Sequence, residues 1–330
     1  MKSRTIGSGT AALTVSEIGL GCMGMTYAYG AADPDQIRAT LDRSIDLGAT
    51  FWDTSDSYGP YTNEELLAPF VQKYRDQVVI ASKFGQQFFD DGTRGVNGSP
   101  EYVKHACDES LRRLGIETID LYYQHRIDPT VPIEETWGAL AELVQAGKVR
   151  FLGLSEASAE SIRRAHAVHP VTALQTEWSL WTRDVEVNGI LAATRELGIG
   201  FVPYSPLGRG FLTGAITSNE QIASDDGRKQ WPRFQDDAIQ ANQQILHSLQ
   251  DIAGRVDATL AQVAIAWLLA QGDNVVPIPG ARKVHHLEEN CAATDIELTA
   301  SDITALSESI HAGVTSGLRY PAAMMKSIQT

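Results

Sequence analysis

The chain has 330 residues, 43% hydrophobic and 21% charged, which is ordinary for a soluble globular protein and long enough for one large α/β barrel or two smaller domains. A formal net charge of −14 argues against nucleic acid or an anionic membrane as the main partner, while leaving room for a local cationic pocket. Cys22, Cys107 and Cys291 are far apart and odd in number, so neither a disulfide framework nor a metal-ligand spacing follows, and no run approaches the roughly 18 apolar residues of a membrane span.

From the N-terminus, Met1–Thr5 has no apolar run behind its basic residues, so no signal peptide is expected and a cytoplasmic location is. Segment 5–15, centred on Gly7-Ser8-Gly9, reads as a hairpin that caps the bottom of the fold. Strand candidates then follow at 16–22, 49–54, 77–83, 119–124, 149–154, 172–177, 199–204 and 274–278. Helical spacing lies between them at 34–47, 63–75, 99–114, 134–146, 158–168, 187–197 and 257–271, with further helices at 285–292 and 299–310. Asp33-Pro34 and Ser99-Pro100 are helix starts, while Gly48, Gly115, Gly147 and Gly198 suit helix C-termini. Eight βα units without a linker or composition break predict a (β/α)₈ barrel, one domain over residues 1–330 with an N-terminal hairpin cap. The polar stretch from Gly208 to about Asp237, interrupted by Trp231-Pro232, reads as a long loop over the active face.

Gly19-Leu20-Gly21-Cys22-Met23-Gly24 matches the G-x-G-x-x-G dinucleotide fingerprint. That fingerprint requires a helix to open at once, with phosphate on its N-terminus. Here the next helix signal comes only at Asp33-Pro34, so the glycines read as a tight loop above the first strand.

In such a barrel, functional side chains project from the C-terminal ends of the strands. Asp53 ends the second strand and Tyr58 lies in the loop after it; Lys83 ends the third, and His125 the fourth. Each alone has an ordinary explanation as a rim, packing or structural residue. Four on three neighbouring strands point instead to reduction of a carbonyl, which needs a hydride at carbon and a proton at oxygen. A phenol with a pKa of about 10 is a poor acid near neutrality, and bringing it down to about 7–8 takes roughly 3–4 kcal/mol. Lys83 is expected to contribute that by stabilising phenolate, with Asp53 fixing Lys83 and His125 orienting the carbonyl oxygen. No metal is needed. A metal-dependent barrel hydrolase would want clustered His or carboxylate ligands that His125 and Asp53 do not supply.

The sequence closely resembles the aldo-keto reductase family, in particular a bacterial and plant branch. The resemblance runs through Gly19-Leu20-Gly21, Asp53-Thr54-Ser55-Asp56-Ser57-Tyr58-Gly59, Ser82-Lys83 and Asp120-Leu121-Tyr122-Tyr123-Gln124-His125. It continues through Gly153-Leu154-Ser155, Tyr204-Ser205-Pro206-Leu207-Gly208-Arg209-Gly210 and Pro277-Ile278-Pro279-Gly280. It implies NADPH lying extended across the barrel mouth, contacting Gly21, Met23 and Asp53. Tyr204 would stack on the nicotinamide, with Ser155 and Gln175 holding the carboxamide. Ser205, Leu207, Gly208, Arg209, Gly210 and Phe211 would line the pyrophosphate, and the adenosine end would fall on Ile278 through Asn290. There it implies contacts from Ile278, Gly280, Arg282, His286, Glu289 and Asn290, with Arg282 and Lys283 the cations for a 2′-phosphate. Two departures stand out: His286 occupies a position where many members carry arginine, and Glu156 one where many carry asparagine.

The implied substrate is a small aldehyde or ketone. A second reading, from a different class, is an NADPH-binding redox sensor or channel-accessory module with slow turnover. Trp178, Trp181, Trp231 and Phe234 are candidates for an apolar pocket wall or for core, and Cys22 for a pocket-facing thiol. Substrate choice is expected in loops 25–32, 86–98 and 210–237 and in the tail from about 313. The oligomeric state does not follow from the sequence.

Overall fold

A computed structural model describes residues 1–89 and 93–329. An antiparallel hairpin opens the chain: β1 (Ser3–Ile6) against β2 (Leu13–Ser16). Seven parallel strands follow: β3 (Leu20–Gly21), β4 (Phe51–Asp53), β5 (Val79–Phe84), β8 (Ile119–Gln124), β9 (Val149–Ser155), β10 (Ala173–Glu177) and β11 (Gly200–Tyr204). A small hairpin, β6 (Gln86–Phe88) with β7 (Arg94–Val96), rises above β5. It stands where residues 86–98 read as a loop; positions 90–92 of that loop lie outside the described residues.

The eighth position is filled by residues 274–280. Val276 and Ile278 donate to the carbonyls of Phe201 and Pro203, while Pro277 and Pro279 accept from Gly19 and Gly21. The two prolines carry no N–H, so the ladder toward β3 is half-formed, and this segment closes the barrel through bridges instead of a regular strand. Gly21 is needed here: a Cβ on it would stand 2.8 Å from the Ile278 carbonyl oxygen. The G-x-G-x-x-G run therefore serves barrel closure, and the next helix begins only at Pro34.

The connecting helices are α1 (Pro34–Leu47), α2 (Thr62–Lys73), α3 (Pro100–Leu114), α4 (Ile133–Gln145), α5 (Ala159–Val168) and α6 (Ile190–Glu196). After them come α7 (Asp236–Val256), α8 (Leu260–Leu269), α9 (Val284–Ala292), α10 (Ala300–Ser309) and α11 (Ala322–Met325). Local chemistry explains the starts: Asp33 accepts from the Asp35 N–H ahead of Pro34, and Ser99 accepts from Tyr102 ahead of Pro100. The expected loop from Gly208 to about Asp237 is a chain of short 3₁₀ turns, and the 21-residue α7 that follows it was not foreseen. Among the described residues no single helix is long and apolar enough to cross a membrane.

Strand periodicity of two sorts the side chains. Phe51, Ala81, Leu121, Tyr123, Ala173, Val202, Val276 and Ile278 fill the barrel interior, with Ile6, Leu13 and Val15 of the hairpin plugging its floor. Their neighbours Trp52, Ile80, Tyr122, Leu152, Leu174 and Phe201 face the helices. Asp53, Lys83, His125, Ser155, Gln175 and Tyr204 continue the inward parity to the top of the strands. The barrel's own register therefore aims them into its mouth.

Candidate active site

The catalytic candidates converge at the ends of β4, β5 and β8. Lys83 is fully buried, and its ammonium is 2.5 Å from Asp53 Oδ1, 2.7 Å from the Thr54 carbonyl oxygen and 3.2 Å from Tyr58 Oη. Three acceptors match the three hydrogens of an ammonium group. Asp53 Oδ2 accepts from Gln175 Nε2 at 2.6 Å, so both carboxylate oxygens are held. Burial pushes Asp53 up and Lys83 down, each partly offset by the charge of the other.

Tyr58 accepts from Lys83, which leaves its own O–H to point elsewhere. Its ring lies edge-on to His125 at 5.8 Å and stacks on Tyr27 at 6.4 Å. Burial, then the Asp53 carboxylate, pushes the hydroxyl well above 10. This corrects the expectation of a phenol brought down to about 7–8: burial and the Asp53 carboxylate outweigh the neighbouring ammonium. Tyr58 holds its proton throughout the neutral range. Burial, then the charges of Arg126 and Lys83, holds His125 well below 6.5, so its imidazole is neutral.

Beyond these strands the mouth is organised differently. Glu156, at φ +52, sits in the left-handed region that asparagine enters more readily than glutamate. Its carboxylate takes hydrogen bonds from Arg319 (3.2 and 2.9 Å), Tyr204 Oη (2.8 Å) and the Glu177 N–H (3.0 Å). Burial alone would raise it, but Arg319 and Arg126 outweigh burial and keep it below its ordinary value. Glu177 pairs with Arg209 at 2.5 Å, and the Arg209 guanidinium lies over the rings of Trp231 and Tyr320. Tyr320 Oη is 2.9 Å from Tyr204 Oη. The tail is tied further along by Ser316 with Asn242 and by Gln329, whose N–H donates to the Glu156 carbonyl. Residues 315–329 thus strap the mouth from the β9–β11 side.

The remaining expected positions divide. Ser155 Oγ accepts from Arg126 Nη1 at 3.3 Å. Leu207 and Phe211 belong to a turn in which Ser205, Gly208, Arg209 and Gly210 have φ of 50, 55, 56 and 97°. Arg282 Nη1 is shared among the carbonyls of Tyr29, Gly30 and Ala31, fastening the loop after β3. Lys283, His285 and His286 are exposed at the start of α9, while Asn290 is buried and Glu289 half-buried. Met23 opens the short turn above β3, and Gly280 bridges Gly21. Trp178, Trp181 and Phe234 are core, as is Cys22, whose thiol burial pushes up. Only half-buried Trp231 reaches the mouth. Among the described residues no group of three or more His, Cys, Asp or Glu is disposed to hold a metal ion.

A family model for the aldo/keto reductase family matches residues 17–311. The chain belongs to this family. A probable aldo-keto reductase of Glycine max is 46% identical over 316 residues, covering 94% of this chain and 90% of the relative. Among solved structures, a glycerol dehydrogenase from Gluconobacter oxydans superposes with a TM-score of 0.85 at 27% identity, covering 94% of this chain and 96% of that one. An aldo-keto reductase from Bacillus halodurans in its holo form gives 0.77, also at 27% identity, covering 95% and 97%. Membership makes the chain an oxidoreductase that reduces small carbonyl substrates, in a family that generally uses a nicotinamide cofactor.

The residues at the mouth fit such a dinucleotide in kind. Inward amide, hydroxyl and phenol groups end β9–β11, and the left-handed succession at 205–210 is of the type that turns main-chain N–H groups toward phosphate. Every one of those side chains is, however, bonded within the chain: Ser155 to Arg126, Gln175 to Asp53, Tyr204 to Glu156 and Tyr320, Arg209 to Glu177. Sequence reasoning missed Arg126, Glu177, Arg319 and Tyr320. Strand-end position singles out Arg126 and Glu177, but nothing local marks the two tail residues.

Proposed function

We propose that this chain, acting as one barrel domain, reduces aldehydes and ketones to alcohols with NADPH, with Tyr58 as the proton donor. The observation that carries this reading is the hydrogen-bond set at Lys83 Nζ, which orients the Tyr58 oxygen as an acceptor and leaves its proton to give. Ser155, Gln175 and Tyr204 would hold the nicotinamide end, the 205–211 turn the pyrophosphate, and Ile278–Asn290 the adenosine. When bound, the cofactor supplies the hydride that reaches the carbonyl carbon.

The chain's own residues perform the rest. His125 donates a hydrogen bond to the carbonyl oxygen, turning it toward Tyr58. Tyr58 transfers its proton to that oxygen as negative charge develops there, and solvent later returns a proton to the phenolate. Lys83, 3.2 Å from the Tyr58 oxygen, stabilises the phenolate as it forms and so works against the rise that burial and Asp53 impose. Asp53 and Gln175 keep Lys83 from drifting. Dinucleotide binding must exchange the internal partners of Ser155, Tyr204 and Arg209 for the ligand, which makes the tail strap part of cofactor affinity.

A parallel titration with NADPH and NADH, followed by a panel of aldehydes and ketones, tests the reading. NADPH oxidation by 4-nitrobenzaldehyde is expected, with NADPH bound at least about tenfold more tightly than NADH, a difference of about 1.4 kcal/mol. Tight binding with no oxidation of any carbonyl would overturn the catalytic assignment.

A further inference from the structure

His125 can serve the carbonyl oxygen only if Nε2 carries its hydrogen, and a neutral imidazole has one hydrogen for two nitrogens. What sets the tautomer lies behind the ring. Nδ1 is 3.1 Å from Ser55 Oγ and 3.4 Å from Ser57 Oγ, and the two hydroxyls are 3.0 Å apart. Both serines are buried, in the loop joining β4 to α2.

The donors and acceptors can be counted. Ser55 Oγ accepts the Ser57 N–H at 3.2 Å, which fills one of its two lone pairs. Ser57 Oγ has two acceptors in reach among the described residues, Ser55 Oγ and Nδ1. If Nδ1 is bare, Ser57 O–H donates to Ser55 Oγ and Ser55 O–H donates to Nδ1. Every group is then satisfied along the two shortest contacts. If Nδ1 carries hydrogen and uses its short contact, it becomes a third donor to Ser55 Oγ, or else Ser57 O–H loses its acceptor. A complete arrangement with Nδ1–H runs through the 3.4 Å contact and sends the Ser55 proton to Asp56 Oδ1 at 3.2 Å or to the Lys83 carbonyl oxygen at 3.5 Å, each longer than the 3.1 Å contact to Nδ1.

We propose that the Ser55–Ser57 hydroxyl pair is a positioning device that donates to His125 Nδ1 and so fixes the Nε2–H tautomer that faces the substrate. This deepens the reading of His125 given above and rests on it for its catalytic consequence, though not for the tautomer itself. A hydrogen bond to the far ring nitrogen that fixes an imidazole tautomer is an established kind of catalytic support.

The test is a long-range ¹H–¹⁵N correlation spectrum of the intact protein, with His125 assigned by comparison with His125→Asn. The expected wild-type pattern has hydrogen on Nε2 and none on Nδ1. In Ser55→Ala/Ser57→Ala that preference should be lost. For the reductase reaction the same variant should lower kcat at least about tenfold with little change in KM. Ser55→Thr, which restores a hydroxyl, should recover both. An Nδ1–H tautomer in the wild type, or an unchanged tautomer in the double variant, would overturn the proposal. The wild-type spectrum decides the matter even if the double variant does not fold. A protein with the expected tautomer and no carbonyl reduction would overturn the catalytic reading while leaving the tautomer device intact.

Discussion

The two walls of the barrel mouth are in different states. At the ends of β4, β5 and β8, Lys83 is bonded to Asp53 and Tyr58, with His125 edge-on to the Tyr58 ring, an arrangement in keeping with the proposed proton donation. At the ends of β9, β10 and β11, Ser155, Tyr204 and Arg209 are instead bonded to Arg126, Glu156, Glu177 and the C-terminal strap. The first wall is set by strand register and a short loop; the second by a tail that arrives from the far end of the chain. On the proposed reading, proton transfer is preorganised, whereas cofactor affinity includes a conformational cost.

That contrast can be broken from either side. Lys83→Met should have the largest effect, because it strands the buried Asp53 carboxylate and removes the donor to Tyr58. Loss of about 3–5 kcal/mol is expected on denaturant unfolding, together with turnover reduced below detection. Near-normal stability would mean that the pair is not an ion pair in the folded protein. On the other wall, Arg319→Met should release Glu156 from the strap and tighten NADPH binding, on the order of tenfold, by enlarging the binding-competent population. Fluorescence titration checks this, and weaker binding would show that Arg319 supports the dinucleotide instead of competing with it.

A smaller effect should come from pH. Glu156 has a folded pKa below its ordinary 4.5, so its contribution is fully present above that value and is lost as pH falls through the folded one. Amide protection factors in residues 315–329, taken relative to the intrinsic exchange rate at each pH, should fall on acidification below about 4.5 before those of the β4–β8 wall respond.

How much was legible follows the same division. Residues 34–47 and 119–124 match the expected elements end to end, because capping residues and short apolar, aromatic runs are local signals. The convergence of Asp53, Lys83 and His125 was readable because they continue the inward parity of their strands. The α7 helix was overlooked, although Ala238, Ile239, Asn242, Ile245, Leu246, Leu249 and Ala253 form a buried helical stripe. The polar turns before it masked the change of period. Arg319 meets Glu156 across 163 positions, so no local pattern could announce it. The odd Glu156 was visible as a departure, but its meaning required the tail's path. The lowered Tyr58 pKa expected from an adjacent lysine failed for a similar reason: a sequence shows the neighbour but not the burial or the carboxylate that absorbs its charge.

The central claim is that Tyr58, held by Lys83, gives the proton. Its most direct test is turnover of 4-nitrobenzaldehyde by Tyr58→Phe, measured beside NADPH binding by the same protein. Binding should be retained and kcat should fall by about 10²–10⁴. Wild-type turnover in Tyr58→Phe would contradict the account.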